Sequence, residues 1–113
     1  MDSIQSLESA PLFGVVDCGT NTFNLLIGRK TDSGWELVFS NKMPVKIGAG
    51  GFDTKQIMPD RMARGLDVLD HYHKTCRAYG VESVYVFATS ALRDATNAHV
   101  FVQYVKANCG WEV

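Results

Sequence analysis

Cysteine is scarce in this chain: three in 113 residues, Cys18, Cys76 and Cys109. An odd count without regular spacing is no disulfide framework. Cys18 falls in an apolar run and the other two in helical patterns, so buried free thiols are expected, as suits a reducing compartment. Net charge is nearly absent too, at -1, which gives no overall drive towards nucleic acid or an anionic membrane. No apolar run approaches the roughly 18 residues that span a bilayer. The opening "MDSIQSLESAPLF" is acidic and lacks the apolar core and cleavage site of a signal peptide. A cytoplasmic protein is the expectation. No internal repeat or low-complexity segment appears.

What is present is a core: 46% of residues are apolar, enough for one domain at this length. The charge is uneven along the chain. Arg29 to Arg64 carries seven basic residues against four acids, a local +3 set against -4 elsewhere. Ordinary surface scatter explains this unless the fold gathers those residues into one patch.

Residues 1–11 read as a flexible leader ending at Pro11. "FGVVDC" reads as a buried strand, "GTNT" breaks it, and "FNLLIGRK" resumes as a second strand before the turn signal "TDSG". "WELVFSN" near-alternates, with Trp35, Leu37 and Phe39 on one side, as a half-buried third strand. Short turns make these an antiparallel meander. After "KIGAGGFDTKQIMPD", Pro59 and Asp60 suit a helix start. Met62, Leu66, Leu69, Tyr72, Cys76 and Tyr79 form a helical stripe, which Gly80 ends. "SVYVFATS" is a strand. Asn97 is a candidate N-cap for a second helix with Phe101, Val102, Val105 and Cys109 on its buried face, and "WEV" begins a further strand. The order β-β-β-α-β-α-β predicts an α/β domain with a mixed sheet.

Three stretches could carry chemistry. In "DCGTNT", Gly19 relaxes the backbone while Thr20, Asn21 and Thr22 supply hydroxyl and amide groups. Backbone N–H groups in such a turn can form an anion-binding concavity, and Asp17 could orient a metal-bound water or accept a hydrogen bond from the loop. A plain hairpin whose side chains satisfy their own backbone is the simpler alternative. In "ATSALRDA", Thr89 and Ser90 fall at a strand end, where α/β sheets bind ligands. Arg93 follows within a helical turn and could grip phosphate bidentately, or simply pair with Asp94. "GAGG" could let a backbone approach a phosphate closely, but no Gly-Lys-Ser/Thr follows, so it is not a P-loop; a flexible connector is the better reading. His71 and His73, two apart on a helix, point to different faces, so a solvated helix face is expected there rather than a metal site. No Ser-His-Asp order suggests a hydrolytic triad.

Taken together, "VVDCGTNTFNLLI" and, some sixty residues on, "VFATSALRDA" resemble the exopolyphosphatase/guanosine pentaphosphatase (Ppx/GppA) family. "RMARGLDVLDHYHKTCRAYGV" resembles that family's long helix in place and pattern. The family's first motif usually reads Asp-x-Gly-Ser-Asn-Ser; here Thr20 and Thr22 replace the serines and keep both hydroxyls. The resemblance covers about residues 13–113. It implies a ribonuclease-H-like domain of the actin/Hsp70/sugar-kinase superfamily. It implies that Gly19, Thr20, Asn21 and Thr22 line a phosphate site, that Arg93 binds a phosphoryl group, and that Asp17 sits beside a divalent metal, Mg²⁺. The implied activity is hydrolysis of a terminal phosphoanhydride, with polyphosphate or guanosine pentaphosphate as substrate. No catalytic residue falls within the chain: the family's Glu base lies in a segment past Val113, and Glu112 matches no motif acid. Residues 12–113 are then a first domain, truncated before its last helix and its partner domain. An isolated domain would be inactive, while the full-length enzyme could form a homodimer. A non-catalytic polyphosphate or nucleotide sensor, or a sugar or acetate kinase of the same superfamily, are the competing functions. Neither nucleic acid nor membrane is an expected partner.

Overall fold

The computed structural model describes residues 10–51 and 54–113; the expected leader falls largely on residues outside these. Four strands form one sheet: β1 (Leu12–Cys18), β2 (Thr22–Thr31), β3 (Gly34–Pro44) and β4 (Ser83–Ala88). Their spatial order is β3-β2-β1-β4. The meander is antiparallel, and β4 pairs parallel to β1, with Val16 opposite Val86 and Cys18 opposite Ala88. A parallel partner needs a crossover, supplied by helix α1 (Pro59–Tyr79). A short turn of helix, α2 (Ser90–Arg93), and helix α3 (Ala98–Cys109) follow.

One face of the sheet carries the core. Val16, Cys18, Phe23, Leu25, Ile27 and Val86 point from the strands towards Val68, Leu69, Tyr72 and Cys76 of α1 and Phe101 and Val105 of α3. α1 begins at Pro59 and stops at Gly80, whose φ of 73° completes a left-handed cap. Gly65 lets the helix approach closely: a Cβ there would lie 3.1 Å from Ile47 Cδ1 and 3.4 Å from Phe23 Cε2. At the helix centre the buried Tyr72 hydroxyl donates to Phe23 O at 2.9 Å, with Asn41 Oδ1 at 3.1 Å. Burial pushes the Tyr72 phenol up to about 12, so the proton stays on the oxygen that donates.

Several sequence expectations are corrected. Trp35, Leu37 and Phe39 do not share a side. A bulge at Val38 shifts the register, because Ile27 faces Phe39 while Gly28 faces Leu37, and one extra residue sends the next side chains to the opposite face. Phe39 thus turns towards α1, against Tyr79. Trp35 lies on the other face, against Phe13 and over Gly28, where a Cβ would come within 2.9 Å of its ring. Val102 is exposed rather than buried. Asn97 makes no cap hydrogen bond. Among the described residues the final β of the expected order is not formed: 111–113 follow Gly110 beside the edge of β4 without joining the sheet. Trp111 instead packs on His73, and Glu112 pairs with Lys106 at 2.5 Å.

Candidate functional site

β1 and β4 run parallel and end side by side, so the loops leaving them meet at one edge of the sheet. The Thr89 N–H donates to Cys18 O at 3.1 Å, and Thr20 Oγ1 donates to Thr89 Oγ1 at 3.4 Å. These contacts join the two motifs, 69 residues apart in sequence, at a single place.

The Gly19–Thr22 loop is shaped by its backbone. Gly19 N–H donates to Thr22 O at 3.0 Å, and a Cβ at Gly19 would lie 2.7 Å from that same oxygen, so no other residue fits without the turn opening. The loop's carbonyls face inward: Asn21 O accepts from Val45 and Lys46 N–H, both at 2.9 Å, and Thr20 O accepts from Ile47 N–H at 3.2 Å. Val45 and Ile47 are buried and hold that segment down. Among the described residues the Thr20 and Asn21 amides donate to no backbone carbonyl. Those two amides, with the exposed Thr20 and Asn21 side chains beside them, suit an anion.

A hollow of about 660 Å³ opens beside Thr20, lined by Gly48, Gly51, Lys55, Gln56 and Ser90 among others. The "GAGG" stretch is therefore a wall of this hollow as well as a connector. Its glycine requirement is steric at Gly51, where a Cβ would lie 1.8 Å from Gln56 O, and conformational at Gly50, with φ 76°. Spacing alone carried no sign of this, because the approach is made by a segment five residues on.

Arg93 sits at the end of α2 with an exposed side chain. Its Nε lies 3.5 Å from Asp94 Oδ1, and it lines a separate hollow with Val86, Leu92 and Val102. The structure thus brings the "ATSALRDA" backbone and Ser90 to the loop, and holds the Arg93 head group against Asp94.

Asp17 is exposed on the sheet face away from the helices. It lines a hollow of about 450 Å³ with Asn24, Ser40 and Lys42. Asn24 stands opposite it in register, and Asn24 Oδ1 is buried without a hydrogen-bond partner among the described residues. An exposed carboxylate and an unsatisfied amide oxygen, on residues opposite each other in register, are donor types that suit a hard cation such as Mg²⁺, which binds through one or two carboxylates and keeps several waters. Among the described residues no group of three His, Cys, Asp or Glu could hold a metal unaided, and His71 and His73 take no part in one.

The cysteines offer no nucleophile. All three are free and buried. Burial, reinforced by Asp17, pushes the Cys18 thiol up to about 12, and burial pushes Cys76 and Cys109 to about 11, so the thiolate needed for attack is not formed near neutrality. No described helix is long and apolar enough to cross a membrane.

Comparison with known proteins places these features in a family. The family model described as the Ppx/GppA phosphatase family matches residues 26–113. A guanosine-5'-triphosphate,3'-diphosphate pyrophosphatase of Vibrio cholerae is 32% identical over 100 residues, 88% of this chain and 20% of that protein. Its counterpart in Vibrio atlanticus is 27% identical over 105 residues, 93% and 21% of the two chains. Among solved structures, an exopolyphosphatase from Cytophaga hutchinsonii superimposes with a TM-score of 0.85 at 31% identity, over 90% of this chain and 33% of that one. The Aquifex aeolicus Ppx/GppA family member gives 0.85 at 27%, over 91% and 34%. The chain thus spans about a fifth of the curated relatives and a third of the solved ones. The fold is the ribonuclease-H-like α/β fold expected from the paired motifs, and the chain belongs to the Ppx/GppA phosphatase family.

Proposed function

We propose that this chain supplies the phosphate-gripping part of an enzyme that hydrolyses a terminal phosphoanhydride. The observation that carries the reading is the meeting of Thr20 with Thr89 and Ser90 at the common edge of β1 and β4. A terminal phosphoryl group seated there takes hydrogen bonds from the Thr20 and Asn21 amides and from the threonine hydroxyls. Ser90 adds a hydroxyl at the far side. Arg93 reaches the phosphoryl oxygens by leaving Asp94; because both are exposed, that ion pair is weak enough to exchange. In the hydrolysis, water attacks the terminal phosphorus as the bridging P–O bond breaks, and a general base takes the water proton. The family resemblance supplies that base from a segment other than these 113 residues. A magnesium ion held through Asp17 and Asn24 would neutralise charge on the phosphate oxygens. The relatives' names point to guanosine pentaphosphate or polyphosphate as substrate, and the free buried thiols suit the reducing cytoplasm.

The test is a titration of the ¹⁵N-labelled chain with orthophosphate, followed by amide shifts, together with an assay of phosphate release from polyphosphate and Mg²⁺. Shifts confined to Gly19–Thr22 and Thr89–Ser90 are expected. Shifts elsewhere, or none, defeat the reading of the loop. The 113-residue chain is expected to show no appreciable turnover, because removing groups that act together leaves only residual catalysis. Rates on the order of 1–1000 per second would defeat the assignment of the base to another segment.

A further inference from the structure

Three of the seven basic residues in the segment from Arg29 to Arg64 are tied down by partners of their own. Arg29 pairs with Glu36 at 3.2 Å. Arg61 donates to Val45 O at 2.9 Å, and Arg64 to Pro44 O at 3.0 Å, so both anchor the end of β3. Lys46 and Lys55 are different. They flank the glycine-rich wall, and both adopt left-handed backbone angles, with φ 51° and 55°. Such angles are uncommon outside glycine, asparagine and aspartate. The chain places glycine at 48, 50 and 51 within the same segment, yet keeps lysine at 55, where glycine would relieve the backbone. An outlier of this kind points to a side chain that is needed.

Lys55 lines the hollow beside Thr20, and its ammonium has no ion-pair partner among the described residues. Asp94 lies on the same wall, and among the described residues Lys55 is the cation lining the hollow that can bind an anion. The backbone of Lys55 is fixed from the opposite side. Thr96 N–H donates to Lys55 O at 2.8 Å. Asn97 then bridges the next buried residue in both directions: Ile57 N–H donates to Asn97 Oδ1 at 2.8 Å, and Asn97 Nδ2 donates to Ile57 O at 2.9 Å. Capping α3 is not what this side chain does. It ties the lysine-bearing wall to the segment that follows the "ATSALRDA" motif.

We propose that the hollow receives the second and later phosphates of an oligophosphate whose end lies on the Gly19–Thr22 loop, that Lys55 binds them, and that Asn97 is the positioning residue for Lys55. The inference rests on the phosphate reading of the loop. At about 660 Å³ the hollow lies within the range of small-molecule sites and is larger than a single phosphate needs.

Isothermal titration of the 113-residue chain with sodium tripolyphosphate and, separately, sodium orthophosphate tests it, with thermal melts run alongside. The chain is expected to bind tripolyphosphate more tightly than orthophosphate. Lys55→Met is expected to weaken tripolyphosphate roughly tenfold or more, the worth of one hydrogen bond to a charged group, with orthophosphate unchanged. Lys55→Gly is expected to lose the same affinity while its Tm rises, because glycine accepts that φ freely. Asn97→Ala is expected to weaken tripolyphosphate binding in the parent chain. In the Lys55→Met background it should lower Tm but cost no further affinity, the signature of a residue acting through another. Unchanged tripolyphosphate affinity in Lys55→Met and Lys55→Gly overturns the role of Lys55. An additive affinity loss in the double variant overturns the positioning role of Asn97. Orthophosphate bound as tightly as tripolyphosphate overturns the inference and leaves the loop reading standing; failure to bind either overturns both.

Discussion

Replacing Tyr72 by phenylalanine isolates one oxygen that fastens helix to sheet directly beneath the candidate phosphate loop. Tyr72 is wholly buried, and its hydroxyl donates to Phe23 O, one residue past Thr22, with Asn41 Oδ1 at 3.1 Å on the neighbouring strand. The ring stays, so packing changes little and the transfer term nearly cancels. What is lost is one buried hydrogen bond, worth about 1 kcal/mol net, and the partners left short of a donor add a desolvation penalty of similar size. The expected loss is about 1–2 kcal/mol, or roughly 5–10 °C in Tm for a domain of this size. Urea unfolding should show a lower midpoint at unchanged slope. The loop itself should loosen, read as faster amide exchange at Phe23 and Thr22 than at Val16. A Tm within about 1 °C of the parent would refute the reasoning, since it would mean that water or another donor replaces the hydroxyl without cost. The Tyr104→Phe change serves as a comparison. That hydroxyl donates to Asp70 Oδ2 at 3.1 Å in a partly exposed site, where solvent can take the partner's place, so a smaller shift is expected.

Gly65→Val places a branched side chain where even a Cβ would press on Ile47, Phe23 and Phe101; the expected cost is about 1–3 kcal/mol, measured by urea denaturation, and a neutral result would mean the helix is free to move outward. Alkaline stability should follow the buried thiols and phenol: their protonated forms are favoured in the fold, so the contribution is complete below the ordinary thiol value near 9 and is lost as pH rises from there towards about 12. Circular dichroism across that window should show falling Tm, and Cys18→Ala should make the fall shallower.

The strands, the long helix and the meeting of the two motifs were legible because each depends on short-range pattern. Apolar β-branched runs mark β1 and β4, a four-three stripe marks α1, and two polar breaks at strand ends fall at one edge once β1 and β4 are parallel. The rest depends on contacts that sequence separation hides. The Val38 bulge follows from register against β2, and no residue near Trp35 announces it. Val102 fits the helical stripe but stays more than a third exposed in this packing, at 37%. Asn97 has the look of a cap, and its amide goes instead to Ile57, 40 residues earlier. The "GAGG" wall is glycine-rich because residue 56 passes against it, and the expected strand at 111–113 fails to pair because Trp111 turns to His73. Arg93 was offered two partners by the sequence, and the structure shows the nearer one, Asp94.

The place of β1 in the sheet has a temporal consequence. It is an inner strand, flanked by β2 and β4, yet one neighbour follows within a few residues and the other only after the whole of α1. On a ribosome adding about 5–20 residues each second, the meander can close early, while the second edge of β1 waits several seconds for Ser83–Ala88 to emerge. Until α1 has emerged Val16 and Cys18 have no helix above them, and until β4 follows one side of β1 has no partner. Parallel pairing across such a separation is entropically slow to form, so the nascent chain passes through a stage with an open hydrogen-bonding edge. Folding yield should therefore respond to synthesis rate and to chaperones that shield strand edges, even under conditions where the finished domain is stable.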